Sequence, residues 1–351
     1  MEVSTQIKEM LDLMLRPAFW VEDGIIRHIN PAAAPLMLSE GQSIESMILS
    51  GKEEYAQFTD GCLHMEMLVN GQPLVTTVIR RENGEIFLTE APITASQFQV
   101  LSLAAMQLRE PLAGLMAITE QMLPEANPKH AAQANRRLYQ LLRVINNMSD
   151  VQRFYNPSAC HMEYTEICSF LEEILEKADM LLSSIDIRID SQIPRESIYT
   201  LADREQLERA IYNLLSNAAR HSGSGCTIYV QLSRRGQRLY LSVQSSHPAR
   251  NPIPIANYYT RFLREPSMED ITQGIGLGMV LIRAAASNHG GAMLIDQPDN
   301  KGARITVSLE IRQGKSDLVR SPILHVDYAG ERDHGLLELS ELLPAELYAM
   351  E

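Results

Sequence analysis

Two short strings in this chain carry residue types that can handle a phosphate and its counter-ion. In residues 207–222, LERAIYNLLSNAARHS, Leu207, Ala210, Ile211, Leu214, Leu215 and Ala218 recur at helical spacing and predict a buried face. Asn213, Asn217, Arg220 and His221 fall on another face of the same helix. Asp203 followed by Gln206 reads as an N-cap with a reciprocal partner. The amide oxygen of Asn217 suits Mg²⁺, a hard ion that keeps most of its waters, so Asn217 is the candidate metal ligand. Arg220 and His221, one turn on, are candidates to meet phosphate oxygens. The second string, Gly274-Ile275-Gly276-Leu277-Gly278, opens a helix expected over 277–288. Bare N–H groups and the helix dipole favour an anion there, which makes Gly274, Gly276, Leu277 and Gly278 the expected binding positions.

A glycine run alone also makes ordinary turns, and a buried helix followed by an unrelated loop is the plainer alternative. The order of the two strings argues against it. Asn213-x-x-x-Asn217-Ala-x-Arg220-His221-Ser222 resembles the N box of sensor histidine kinases, whose ATP-binding domain shares its fold with DNA gyrase, the Hsp90 chaperones and the MutL repair proteins. Gly274-x-Gly276-x-Gly278, followed by His289-Gly290-Gly291, is similar to that family's second glycine box and the turn after it. The resemblance implies ATP and Mg²⁺ as cofactors. It also implies transfer of the γ-phosphoryl to a histidine, then to an aspartate on a response regulator.

The chain departs from that pattern at two places. Where the family has the phosphoacceptor box His-Glu-Leu-Arg-Thr-Pro-Leu, this chain has Met106-Gln107-Leu108-Arg109-Glu110-Pro111-Leu112. A thioether has no proton to lose and is only a weak acceptor, and Gln107 cannot be the base that glutamate is. His130, expected in a hairpin turn, and His161, in the linker after it, do not occupy the acceptor position. At the end of a strand over 239–243 the family places Asp-x-Gly-x-Gly, whose aspartate reads adenine. This chain has Ser245-Ser246-His247-Pro248-Ala249. Replacing a buried carboxylate bond of about 1.5–3 kcal/mol with a serine weakens binding by about ten- to a hundredfold. Pro252 and Pro254 stiffen the lid, Tyr258–Phe262 weakly resembles the family's F box, and Arg261 and Arg264 read as solvated lid residues.

Four regions must position these groups. Residues 1–95 read as a small mixed domain: a helix over 7–15, strands over 18–21 and 25–29, and a short helix opened by Asn30-Pro31. Strands over 63–68 and 73–80 follow around Asn70-Gly71, then one over 86–90. The order resembles a PAS sensory domain; a packing module without ligand is the alternative, and Trp20 reads as core. Residues 96–157 read as a helical hairpin. Leu101, Ala105, Leu108, Leu112, Leu115, Thr119 and Met122 form one seam, and Leu138, Leu141, Ile145, Met148, Gln152 and Tyr155 the other, with residues 124–128 as the turn. Two such helices cannot bury both seams alone, so a four-helix homodimer is expected. Residues 158–313 read as the ATP-binding domain, with a helix over 167–182 and strands over 185–189, 197–202, 228–232, 239–243, 292–296 and 304–311. Residues 314–351 form an acidic tail whose Leu336, Leu337, Leu339, Leu342, Leu343 and Leu347 are expected to pack on that domain.

The fold class is therefore α+β multidomain: a PAS-like domain, an antiparallel helical hairpin and an α/β sandwich of the histidine-kinase ATPase type. Acidic residues outnumber basic ones, 44 to 31, for a net charge of −13, which argues against nucleic acid or an anionic membrane as partner. No apolar run is long enough to span a bilayer, and the four scattered cysteines suit a reduced, cytoplasmic protein. The reading is a two-component-type signalling protein with a degenerate kinase apparatus, partnered by a response regulator or another histidine kinase. An active kinase working in trans on another protein's histidine is the alternative. An ATPase is a third, which would need a carboxylate to position water near the N box; Glu208, a turn or more from Asn217, is a poorly placed candidate.

Overall fold

The computed structural model describes residues 2–81, 84–89, 95–122, 127–154, 159–247, 277–298, 301–312 and 332–349. At the N-terminal end, turns that tolerate positive φ set the hairpins. Strand β1 (Ala18–Glu22) meets β2 (Ile25–Ile29) across Asp23 and Gly24. β3 (Cys62–Val69) meets β4 (Gln72–Arg81) across Asn70 and Gly71, at φ 51° and 77°, the pairing expected of Asn-Gly. With β5 (Gly84–Thr89) these strands lie in the order β2-β1-β5-β4-β3. Helix α1 (Glu2–Asp12) ends before Leu13 and Leu15, which are exposed, so the helix expected over 7–15 starts earlier and stops sooner. The buried Asn30 amide explains the stop. It accepts from the N–H groups of Ala18 and Ala33 and donates to the carbonyls of Leu11, Met14 and Arg16. The segment it opens, Pro31–Leu36, is a 3-10 turn. A short helix, α2 (Lys52–Gln57), precedes β3. Phe19 stacks on Phe87 in this core, and Trp20 is buried.

The hairpin is α3 (Ala95–Met122) packed against α4 (Pro128–Phe154). His130 therefore stands in the first turn of α4, exposed, rather than in the connection. The apolar repeat of α3 divides in two. Ala105, Leu112 and Met116 are buried with Leu138 and Ile145 of α4, whereas Leu108, Leu115 and Met122 are 47%, 53% and 65% exposed. The single seam drawn from the sequence is thus corrected. One facing helix covers only half of a wide apolar surface, and alternate heptad positions point away from it.

The remainder alternates helix and strand: β6 (Glu163–Glu166), α5 (Ile167–Leu182), β7 (Arg188–Gln192), β8 (Tyr199–Ala202), α6 (Arg204–Ser222), β9 (Thr227–Arg235) and β10 (Arg238–Ser245). Then come α7 (Leu277–Asn288), β11 (Met293–Asp296), β12 (Arg304–Glu310) and α8 (His334–Glu338). The strand expected over 185–189 sits later because Ser183–Ile185 makes a 3-10 turn closed by Asp186 at φ 60°. Strands order as β11-β12-β10-β9-β7, with β7 parallel to β9, and α5, α6 and α7 share one apolar cluster with them. β6 and β8 form a separate two-stranded sheet that the sequence reading did not foresee.

The two sheets are joined. β3 pairs with β11 through Cys62↔Ile295, Leu63↔Leu294 and His64↔Met293, giving ten continuous strands. Gly61 makes the approach possible: at φ 90°, a Cβ there would lie 2.3 Å from the Ile295 carbonyl oxygen. Arg238 reinforces the join with ion pairs to Glu53 and Glu54.

Candidate anion site at the N box

Helix α6 starts at Asp203, whose Oδ1 accepts from the Gln206 N–H at 3.0 Å. Gln206 does not return the bond, which corrects the expected reciprocal cap. Its amide is buried and engages Cys160 Sγ and Asn288 instead. The Asp203 N–H donates to His289 Nε2 at 3.0 Å, and His289 Nδ1 donates to the Ala285 carbonyl. Burial holds this imidazole below its ordinary pKa, so it is neutral and both nitrogens are committed. The histidine of the His-Gly-Gly turn is thus part of the cap.

Arg209, Asn213, Ser216 and Arg220 run along one face of α6 at helical spacing. This face is covered rather than open. Asn213 is buried; its Nδ2 donates to the Arg209 carbonyl and its Oδ1 accepts from Arg143 Nη2 of α4 at 3.3 Å. Gly278 is glycine for a steric reason: a Cβ there would stand 2.6 Å from Asn213 Oδ1. Leu277 is core. Asn217 is half-buried and donates its amide to Met279 Sδ at 3.2 Å, which leaves Oδ1 as its candidate metal-binding atom. Arg220 pairs with Glu341, and His221 is half-buried in the last turn. The amides, the guanidinium and the close helix approach fit a magnesium-bound polyphosphate in chemistry. Gly274 and Gly276 lie outside the described residues, as do Pro248, Ala249, Pro252, Pro254, Tyr258–Phe262 and Arg264.

Ser245, buried at the end of β10, donates its hydroxyl to the His247 carbonyl at 3.0 Å and packs against Gly302. Its proton is therefore committed locally, and only its weak acceptor capacity remains for a base. Met106 and Gln107 are exposed on α3, Met106 at 58%. Arg109 donates to Asn146 of α4, and Leu112 is buried. Arg109 and Leu112 thus help hold the hairpin together while a thioether occupies an outward position. Glu208 is ion-paired to His334.

The sequence reading missed a charged cluster. Arg209 is fully buried, bound to Asp150 and Asn147 of α4 and to Glu338 of α8. Arg143, also buried, bridges Glu338 and Glu341. The C-terminal segment packs on α4 of the hairpin as well as on α5 and α6, with Leu337, Leu339 and Leu343 wholly buried and Leu347 exposed, and it places two carboxylates beside the N box. The available signal was Arg209, one helical turn before Asn213. A separate cavity of about 400 Å³, lined by Glu66, Phe154, Cys160, Met162, Ala284, Ser287, Asn288 and Arg312, contains no N-box residue.

Comparison with known proteins gives the same family as the motifs. Residues 202–313 match the model "Histidine kinase-, DNA gyrase B-, and HSP90-like ATPase". The adaptive-response sensory kinase SasA of Parasynechococcus marenigrum (strain WH8102) is 27% identical, covering 68% of this chain and 62% of that protein. The sensor histidine kinase WalK of Bacillus subtilis (strain 168) is 20% identical, covering 69% and 42%. The chain thus spans less than two thirds of these relatives' lengths. A crystal structure of full-length ShkA in complex with AMPPNP is 19% identical, covering 63% of this chain and 47% of that one, at TM-score 0.47. Residues 202–313 thus match the histidine-kinase-, DNA gyrase B- and HSP90-like ATPase domain, and the chain is similar over about two thirds of its length to sensor histidine kinases.

Proposed function

We propose that the chain is a cytoplasmic two-component-type signalling protein that relays a conformational state and does not phosphorylate itself. Its four parts are read as a PAS-like sensory unit (1–95), a dimerising hairpin (96–157), an ATP-binding domain (158–313) and a tail (314–351). One observation carries the reading: Met106 stands at the outward position of α3 where the family's acceptor belongs. Phosphoryl transfer depends on positioning and charge neutralisation, so the surviving N box does not substitute for a missing nucleophile.

ATP with Mg²⁺ would supply the γ-phosphoryl group. Asn217 would hold the metal, with Arg220, His221, Asn213 and the glycine run around the phosphates. Ser245 would contact adenine weakly. The exposed stripe of Leu108, Leu115 and Met122 supports a homodimer, and a response regulator or another histidine kinase is the expected partner, with no role for nucleic acid. Among the described residues no helix is long and apolar enough to cross a membrane. The retained N box also supports a second reading, a kinase acting in trans on a partner's histidine. Incubation with γ-labelled ATP and Mg²⁺ tests the proposal. The chain should carry no acid-labile phosphate, and label on it would overturn the reading.

A further inference from the structure

The charged cluster at the N box includes the guanidiniums of Arg143, Arg209 and Arg220 and the carboxylates of Asp150, Glu338 and Glu341. Two of the carboxylates come from the C-terminal segment. Glu338 is fully buried, its oxygens 3.2 Å from Arg143 Nε and 3.2 Å from Arg209 Nε. Glu341 lies 3.3 Å from Arg143 Nη1 and pairs with Arg220. Arg143 itself reaches Asn213 Oδ1 and Ser216 Oγ. The tail carboxylates are therefore one guanidinium removed from the first asparagine of the N box. A buried ion pair stripped of one partner is strongly destabilised, so the buried Arg143 and Arg209 require an anion beside them.

The segment is held where that anion is needed by contacts that do not depend on charge. Leu337, Leu339 and Leu343 are wholly buried. Tyr348 packs edge-on against Tyr139 of α4, and Arg136 and Gln140 of α4 donate to the Ser340 carbonyl. A triphosphate entering beside the tail carboxylates would face like charges at short range, one of them on the fully buried Glu338, which is unfavourable. With the carboxylates withdrawn, Arg143 would lose both of its carboxylate partners among the described residues.

We propose that Arg143, Arg209 and Arg220 form the phosphate site of the nucleotide domain, completed by the hairpin's Arg143, and that Glu338 and Glu341 close it as an internal anion. The inference rests on the nucleotide reading of the N box. The segment and the phosphates are mutually exclusive occupants, so each weakens the other by the same factor.

Binding of ATP with Mg²⁺ to the full chain and to its Glu341→Gln and Glu338→Gln/Glu341→Gln variants tests this. Glu341 is one-third exposed, so the single variant keeps the apolar anchors and the Glu338 pairs. Its affinity should rise by about tenfold, equivalent to about 1.4 kcal/mol. Hydrogen exchange on the unaltered chain gives a second readout: saturating ATP should speed exchange of the amides of residues 334–343. Equal affinity in full chain and variants, or exchange unchanged at saturation, overturns the inference and leaves the nucleotide reading intact. No binding by any of the chains overturns both.

Discussion

At the residue scale, the cap of α6 shows how a motif and its support divide the work. Asp203 Oδ1 holds the Gln206 N–H, and Oδ2 holds the His161 N–H at 2.9 Å. Losing an N-cap costs about 1 kcal/mol, and orphaning a second buried donor adds a comparable amount. Asp203→Ala should therefore lower stability by about 1–2 kcal/mol in urea titration, with Asp203→Asn, which keeps one of the two oxygens, losing about half as much. Equal losses in the two variants would show that the side-chain oxygen is not what holds the helix start. The residues with chemistry were legible as types: Asn213, Asn217, Gly278 and His289 all gather at α6 and α7. Their partners were not legible. Gln206 pairs with Asn288, far along the chain, and His289 takes the capping role that local spacing assigned to Gln206. No short-range pattern encodes such contacts.

At the element scale, strongly periodic helices were read well and the faces they bury were not. The bounds 167–182 and 277–288 agree with α5 and α7, because apolar periodicity is strong there. For α3 the heptads gave a helix, but periodicity cannot say which apolar residues meet the second helix of the same chain. The structure assigns Ala105, Leu112 and Met116 to that contact and leaves Leu108 and Leu115 exposed. If this second stripe pairs with another copy, Leu108→Glu/Leu115→Glu should convert a dimer to a monomer in sedimentation equilibrium, with helical content unchanged. A dimer that survives both changes would place the interface elsewhere.

At the scale of the whole molecule, the joined sheet and the tail were beyond sequence reading. Pairing of β3 with β11 needs only edge backbones and a glycine that lets them approach, and the apolar pattern of β3 is the same whichever neighbour it has. The junction has a pH signature. His64 is completely buried on β3; burial, then the charge of Arg283, push its imidazole down to about 3. His289 is lowered too, chiefly by burial. The unfolded chain takes up these protons near about pH 6.5, so both groups favour the unfolded state only below that value. Stability should be intact above it and fall as pH drops towards the folded values, by up to about 1.4 kcal/mol per pH unit for each histidine. Thermal midpoints should therefore decline on acidification, less steeply in His64→Asn. A midpoint that is flat or rises would refute the assignment of neutral buried imidazoles.

The central claim is that this chain keeps the N box and lacks the acceptor. Labelling with γ-labelled ATP and Mg²⁺ tests it most directly when the unmodified chain is compared with Met106→His/Gln107→Glu, both carrying Glu341→Gln to favour an accessible phosphate site. The account predicts acid-labile label on the doubly substituted box alone; label of equal amount on both chains would contradict it.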